Sequence, residues 1–424
     1  MRVTLVHPFA WPEVRRGAER YVDDLARYLG GAGHTVTVVT GTHGSSRTER
    51  LGVGITARYR RHVLAGRGGR AGVGAVETFG VPALAELLGR RADVVHAFTP
   101  SGALAGRLAG RPTLYSVLGH PDASQLPERA VARLLFDAAL CHATRVATLS
   151  RASAAALAAT AGRRAAVLAP GVRVERFPLE AAPRTGPVRL LFSASLDDRR
   201  KRADLAVAAL AVVLRRHPDA RLALSGTGDP SWALAGAHAD VRAAVDLPGP
   251  GRPDEVAGRY RHATVTVLPA EHEAFGLALV ESLACGTPVV CLASGGAPEI
   301  VEGSEGGPVG AVAAEPAAGA LADAVARAVA LARQPGAPRR CAAHARRFSW
   351  EVVGPAHERV YETVGHRPAS AHAPVTAGSS GAPHGRGGVP GARRQPPRPS
   401  DTGGDRRGSP VPVPRDEEDE EEAS

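Results

Sequence analysis

A single lysine, Lys201, stands in a chain of 424 residues, and every other basic side chain except histidine is an arginine. A bias of that degree reflects genome composition, and it makes the surviving lysine a better functional candidate than an arbitrary one. Aromatic residues are scarce at 4%, which leaves little from which to build a base-stacking surface for nucleic acid. Four cysteines (Cys141, Cys285, Cys291, Cys341) lie scattered with no CxxC pair. That spacing excludes the usual structural zinc site and a disulfide framework, and implies reduced thiols in the cytoplasm. No apolar run approaches the roughly 18 residues of a membrane-spanning helix. The opening MRVTLVHPF enters a strand without a signal-peptide pattern. GxGxxG is missing from the first strand–helix junction, which weakens a dinucleotide-dehydrogenase reading, and no repeat of solenoid period is found.

What is present is basic charge and length. The formal charge is +10, and the body of the chain carries all of it, because the arginines and acids beyond His366 almost cancel and leave that stretch slightly negative. A basic body favours anionic partners: nucleotides, phospholipid surfaces or nucleic acid. The densest basic stretch is 56–72, with Arg58, Arg60, Arg61, Arg67 and Arg70. It reads as a solvated surface, or else as peripheral contact with an anionic membrane; with one interleaved aromatic, Tyr59, it does not suit nucleic acid. The length allows two domains. The stretch 366–424 is Pro, Gly, Ser and Arg ending in acids, and cannot bury enough apolar surface to offset its ordering entropy, so disorder is expected.

The most informative stretch is Val265 to Glu299. A short β-branched run, Thr264 to Leu268, predicts a buried strand ended by Pro269. A helical pattern covers Leu277 to Ala284, and a second strand Pro288 to Leu292 follows Gly286. This is a βαβ unit of a parallel sheet. In the loop between, Gly276 permits close backbone approach, and the unpaired amides of Leu277 and Ala278 at the helix start make an anion site. Ligands of such sheets sit beyond the carboxyl ends of the strands. Glu273 and Glu281 flank that point, able to accept hydrogen bonds from sugar and ribose hydroxyls.

Glu273, seven residues, then Glu281, with Phe275-Gly276 between and Cys-Gly-Thr-Pro-Val-Val and Gly-Gly-Ala-Pro-Glu after, resembles the EX7E signature of retaining GT-B glycosyltransferases of family four. The resemblance runs over about 1–365. It implies an α/β fold of two Rossmann-like domains facing a cleft: an acceptor domain 1–170, a hinge 171–187, a nucleotide-sugar domain 188–348, a terminal crossover helix 349–365 and the tail 366–424. It also implies transfer of a sugar from a UDP- or GDP-sugar to an acceptor hydroxyl, on a lipid, a polysaccharide precursor or a small metabolite, without a metal or other cofactor. Asp197-Asp198 lacks the spacing of a metal-binding DxD.

Carried over residue by residue, Glu273 and Lys201 are the catalytic candidates, with His96 of the DVVH segment as a third; a buried, satisfied histidine is the alternative for His96. Donor contacts are implied for Gly17 of the Arg16-Gly17-Ala18-Glu19 loop, Gly226 and Gly228 of the Gly-Thr-Gly-Asp turn, Phe275, Gly276, Leu277, Ala278 and Glu281. The chain departs from the pattern at three places. Arg16 replaces a glycine, Phe98 replaces an acceptor-side histidine, and Ser195 stands where an arginine is expected, so that Arg200 or a neighbour must supply the charge. His120 is a further acceptor-side candidate. A GT-B epimerase or phosphorylase, or a non-catalytic nucleotide-sugar binder, would share the fold.

Overall fold

The computed structural model describes residues 1–62, 74–302 and 306–366. Its framework is two sheets. The first has eight strands: β1 (Arg2–His7), β2 (Thr35–Thr42), β3 (Arg47–Gly52), β4 (Ile55–Arg61), β5 (Val94–Ala97), β6 (Thr113–Val117), β7 (Arg145–Thr148) and β8 (Ala166–Val167). Their order is β3-β4-β2-β1-β5-β6-β7-β8. The second has six: β9 (Arg189–Ser193), β10 (Arg221–Ser225), β11 (Val245–Asp246), β12 (Val265–Leu268), β13 (Val289–Leu292) and β14 (Gly310–Ala313), ordered β11-β10-β9-β12-β13-β14. All pairings are parallel except β3 with β4.

The strand sequences dictate this arrangement. β12 and β13 read Val-Thr-Val-Leu and Val-Val-Cys-Leu and are buried at every position. A strand apolar on both faces needs helices on both sides, as a doubly wound parallel sheet supplies. In each sheet the order of connection reverses once, between β1 and β5 and between β9 and β12. Loops diverge at such reversals and leave a crevice. The loops after β9 and β12 carry Lys201 and Glu273; those after β1, β5 and β6 carry Gly17, Phe98 and His120.

The chain returns to the first sheet at its end. The Trp350–Gly365 helix packs Trp350 against Tyr28 and Tyr21, ring centroids 5.5 and 6.1 Å apart. Gly171 faces that indole so closely that a Cβ would collide with it, and Val172 N–H donates to Phe348 O (2.8 Å).

The 56–72 basic stretch was read as patch rather than strand. Its first part is β4, paired with β2 and with the β3 hairpin arm. Arg58 and Arg60 both reach Glu86 (3.6 and 2.6 Å), so two of the five arginines share one carboxylate within the fold. Arg67 and Arg70, and the tail, lie outside the described residues.

Candidate functional site

The Lys201 ammonium and the Glu273 carboxylate form a direct ion pair. Adjacent strands bring them together: β9 pairs with β12, and each residue lies in the loop at its strand's carboxyl end. Lys201 closes a short 3₁₀ turn, Arg199–Lys201, whose start is capped by the Asp198 side chain. Glu271 N–H donates to Arg200 O (2.8 Å), tying the two loops. Glu273's own peptide is clamped from behind. Gly296 N–H donates to its carbonyl (2.6 Å), and a Cβ on Gly295 would run into the Glu273 backbone.

Gly276 has φ +104°, a left-handed conformation in which glycine is unstrained. No side chain caps the helix that follows, and Leu277 and Ala278 at its tip are partly exposed while Leu279 to Ala284 are buried. The tip therefore presents amides and a positive dipole end to the crevice. Gly17 of the opposite sheet's loop comes within contact of it: a Cβ there would lie 3.3 Å from Leu277 Cδ1. Phe275 lends only its backbone to this site, because its ring is buried edge-on against Phe348, centroids 5.7 Å apart.

Glu281 is buried, and a buried carboxylate needs partners. It has two. The Tyr260 hydroxyl donates to Oε2 (3.0 Å), and Arg20, from the Gly17–Gly31 helix under the first sheet, forms an ion pair with Oε1. Burial pushes the Tyr260 phenol up to about 12, so at neutral pH it remains a donor.

Several expected site residues sit elsewhere. His96 is fully buried in the first domain, with Nδ1 2.7 Å from Tyr361 Oη and Nε2 2.7 Å from Ser116 Oγ. Burial holds its pKa well below the usual histidine value; both nitrogens are occupied, and it is a core residue rather than a catalytic one. Arg200 is turned outward onto Asp198, with contacts of 2.7 and 3.0 Å. Gly226 and Gly228 make close approaches to protein, not outward: Cβ atoms there would strike Ala194 and Asp197, so these glycines let the β10 loop lie on the β9 loop.

Two models of known families match end to end. "Glycosyltransferase Family 4" covers residues 15–176 and "Glycosyl transferases group 1" covers 176–348. This chain belongs to the GT-B glycosyltransferases of family 4. Among curated relatives, a D-inositol 3-phosphate glycosyltransferase of Corynebacterium jeikeium is 32% identical over 186 residues, 40% of this chain and 43% of the relative. A glycogen synthase of Mycobacterium tuberculosis is 33% identical over 204 residues, 46% and 47% of the two chains. The matched region thus spans under half the length of these relatives. The solved structure of a sucrose-phosphate synthase from Thermosynechococcus elongatus superposes with a TM-score of 0.71 at 21% identity, over 86% of this chain and 98% of that one. Anabaena HepE in complex with UDP-glucose gives 0.65 at 17%, over 86% and 100%.

A second group lines the crevice beside Glu273. His272, at φ +55°, sets Nδ1 against the Asp122 carboxylate, and His120 Nε2 is 3.9 Å from the same carboxylate. His120 Nδ1 lies 3.1 Å from Ser153 Oγ, which aims the other nitrogen at Asp122. Their ligand atoms fall within 4.8 Å of one another, the one such group among the described residues able to hold a metal ion; two histidines and one carboxylate suit a divalent transition metal. Asp197-Asp198, weighed for metal from the sequence, is used instead to cap turns. Sequence reasoning singled out His120 but missed Arg20, Asp122, Tyr260 and His272, which belong to no short motif and meet only through the fold. Glu299 was quoted within the signature without a role; it accepts from the amides of Ala152 (2.7 Å) and Arg151 (3.2 Å), capping the Arg151–Ala161 helix of the first domain.

Proposed function

We propose that this protein transfers a glycosyl group from a nucleotide-activated sugar to an acceptor hydroxyl, with retention at the anomeric carbon. The observation that carries the reading is the Lys201–Glu273 pair set beside an uncapped helix tip. As the bond from sugar to diphosphate breaks, negative charge grows on the leaving oxygens. A fixed ammonium and fixed amides stabilise that charge more in the transition state than in the ground state. Lys201 and the Leu277 and Ala278 amides take this role, and Glu273 accepts from the sugar hydroxyls.

Ser195 removes one expected cation from the β9 loop. Arg20 is the replacement in this reading. A ribose diol reaching Glu281 would exchange with its guanidinium, which then faces the diphosphate across the crevice. UDP-glucose in HepE is the precedent for the donor class.

The test is nucleotide release from a panel of UDP-, GDP- and ADP-sugars, followed by NMR of the anomeric proton of the product. Turnover with one donor and an unchanged anomeric configuration is expected, and Glu273→Gln should lower kcat by at least a hundredfold. Inversion would overturn the retaining mechanism; release from no donor would overturn the reading itself.

A further inference from the structure

The first domain holds a cavity of about 290 Å³ that nothing above has used. Its walls include Phe98, Tyr115, Leu118, Leu126, Leu135 and Phe136. His120 closes one side and belongs also to the His120–Asp122–His272 group, one residue from Glu273. The cavity therefore ends where an acceptor hydroxyl must arrive.

Three features of the cavity point to the same kind of occupant. Its walls are mostly hydrocarbon and aromatic. A sugar presents hydroxyls around its whole rim, and each one buried without a partner costs about 1–3 kcal/mol. Phe98 gives this wall a phenyl ring and no side-chain hydrogen-bonding group. The phenol of Tyr115 is the third feature. Its side chain is 3% exposed, its ring sits edge-on to Phe136 (6.5 Å), and its hydroxyl has no hydrogen-bond partner among the described residues. A hydroxyl that makes no bond within the protein and lines a cavity is free to meet a ligand atom.

We infer that the acceptor is a hydrophobic ring compound of roughly two fused rings, carrying the reactive hydroxyl at the His120 end and a second polar atom toward Tyr115. This rests on the glycosyl-transfer reading and adds its substrate class. The volume lies at the small end of ordinary ligand pockets, about 300–1,000 Å³, which suits a bicyclic body. In the reaction, the acceptor oxygen forms the new bond to the anomeric carbon, the bond from that carbon to the diphosphate oxygen breaks, and the acceptor's proton leaves with the nucleoside diphosphate.

The probe is 1-naphthol, followed by its fluorescence with the full chain in the absence of donor, and then as acceptor in the nucleotide-release assay. The wild type should bind it and release nucleotide at least tenfold faster with it than with D-glucose. Leu126→Trp, which fills the cavity from a half-buried position, and Leu135→Glu should each weaken naphthol binding at least tenfold. Leu134→Glu, on the same helix but 69% exposed, should bind naphthol within twofold of wild type, which separates cavity from fold effects. Tyr115→Phe should weaken 1,5-dihydroxynaphthalene, which carries a second hydroxyl, more than it weakens 1-naphthol. No binding to wild type, equal binding to both cavity variants, or faster release with D-glucose than with naphthol would overturn the inference. Naphthol binding without nucleotide release from any donor would instead overturn the transfer reading, and with it the acceptor role of the cavity.

Discussion

In the proposed reaction Lys201 and Arg20 share the charge that an arginine at position 195 would supply. They approach the crevice from opposite sheets, and each is held now by one of the two signature glutamates. Arg20→Ala is therefore expected to raise the donor KM about tenfold, as loss of one charge-assisted contact of ~1.5 kcal/mol implies, with a smaller effect on kcat than Glu273→Gln; an unchanged KM measured by nucleotide release would remove Arg20 from the site. Glu273 and Glu281 were readable from sequence because one turn and one helix fix their spacing, and Lys201 because it is the single lysine of the chain. Arg20 and His272 were not, since a residue's partner across a crevice is set by how two sheets pack. His96 shows the converse. Its strand position put it near the sheet's reversal, but the side chain faces the core, where Tyr361 arrives from 265 positions later in the chain.

Among elements, the terminal helix and the helix starting at Arg151 carry the connections that sequence left open. His357 on the terminal helix is fully buried, with Nε2 2.8 Å from Tyr21 Oη and Nδ1 3.2 Å from Val353 O. Burial lowers its pKa to about 4. The unfolded chain, with histidine near 6.5, then binds the proton first as pH falls, so stability is full above about 6.5 and is lost as pH drops toward 4. Urea unfolding should show a loss of about 2 kcal/mol between pH 7 and 5 from this residue alone, and His96, whose pKa is shifted the same way by burial, should add to it. A flat profile would show these histidines to be solvated. The Glu299 cap is a second test at this scale: Glu299→Ala should cost about 1 kcal/mol, read as a lower urea midpoint, and no change would deny the cap. The regular elements themselves were largely legible. The Leu277–Ala284 helix matches the sequence pattern residue for residue, and β12 and β13 each begin one residue later than expected. The β3–β4 hairpin was not, because its arginines hide the alternation that marks a strand; its inward positions Ile55, Ala57 and Tyr59 are buried while charge occupies the rest.

The two sheets are set so that the loops at their reversals meet, and three polar contacts among the described residues join them: Arg20 to Glu281, Asp122 to His272, and Glu299 to the Arg151–Ala161 helix. The signature stretch from Glu273 to Glu299 takes part in two of these and flanks the third. One loop system thus holds the halves together, and in the proposed reaction the same loops are the grip on the donor's diphosphate. Calorimetric titration of UDP, GDP and ADP into the wild type and into Lys201→Ala tests it most directly. One diphosphate should bind the wild type, and the lysine variant should bind it at least tenfold more weakly, as loss of one charge-assisted contact of about 1.5–3 kcal/mol requires. Equal affinity in the two proteins, or no binding of any of the three to the wild type, would contradict it.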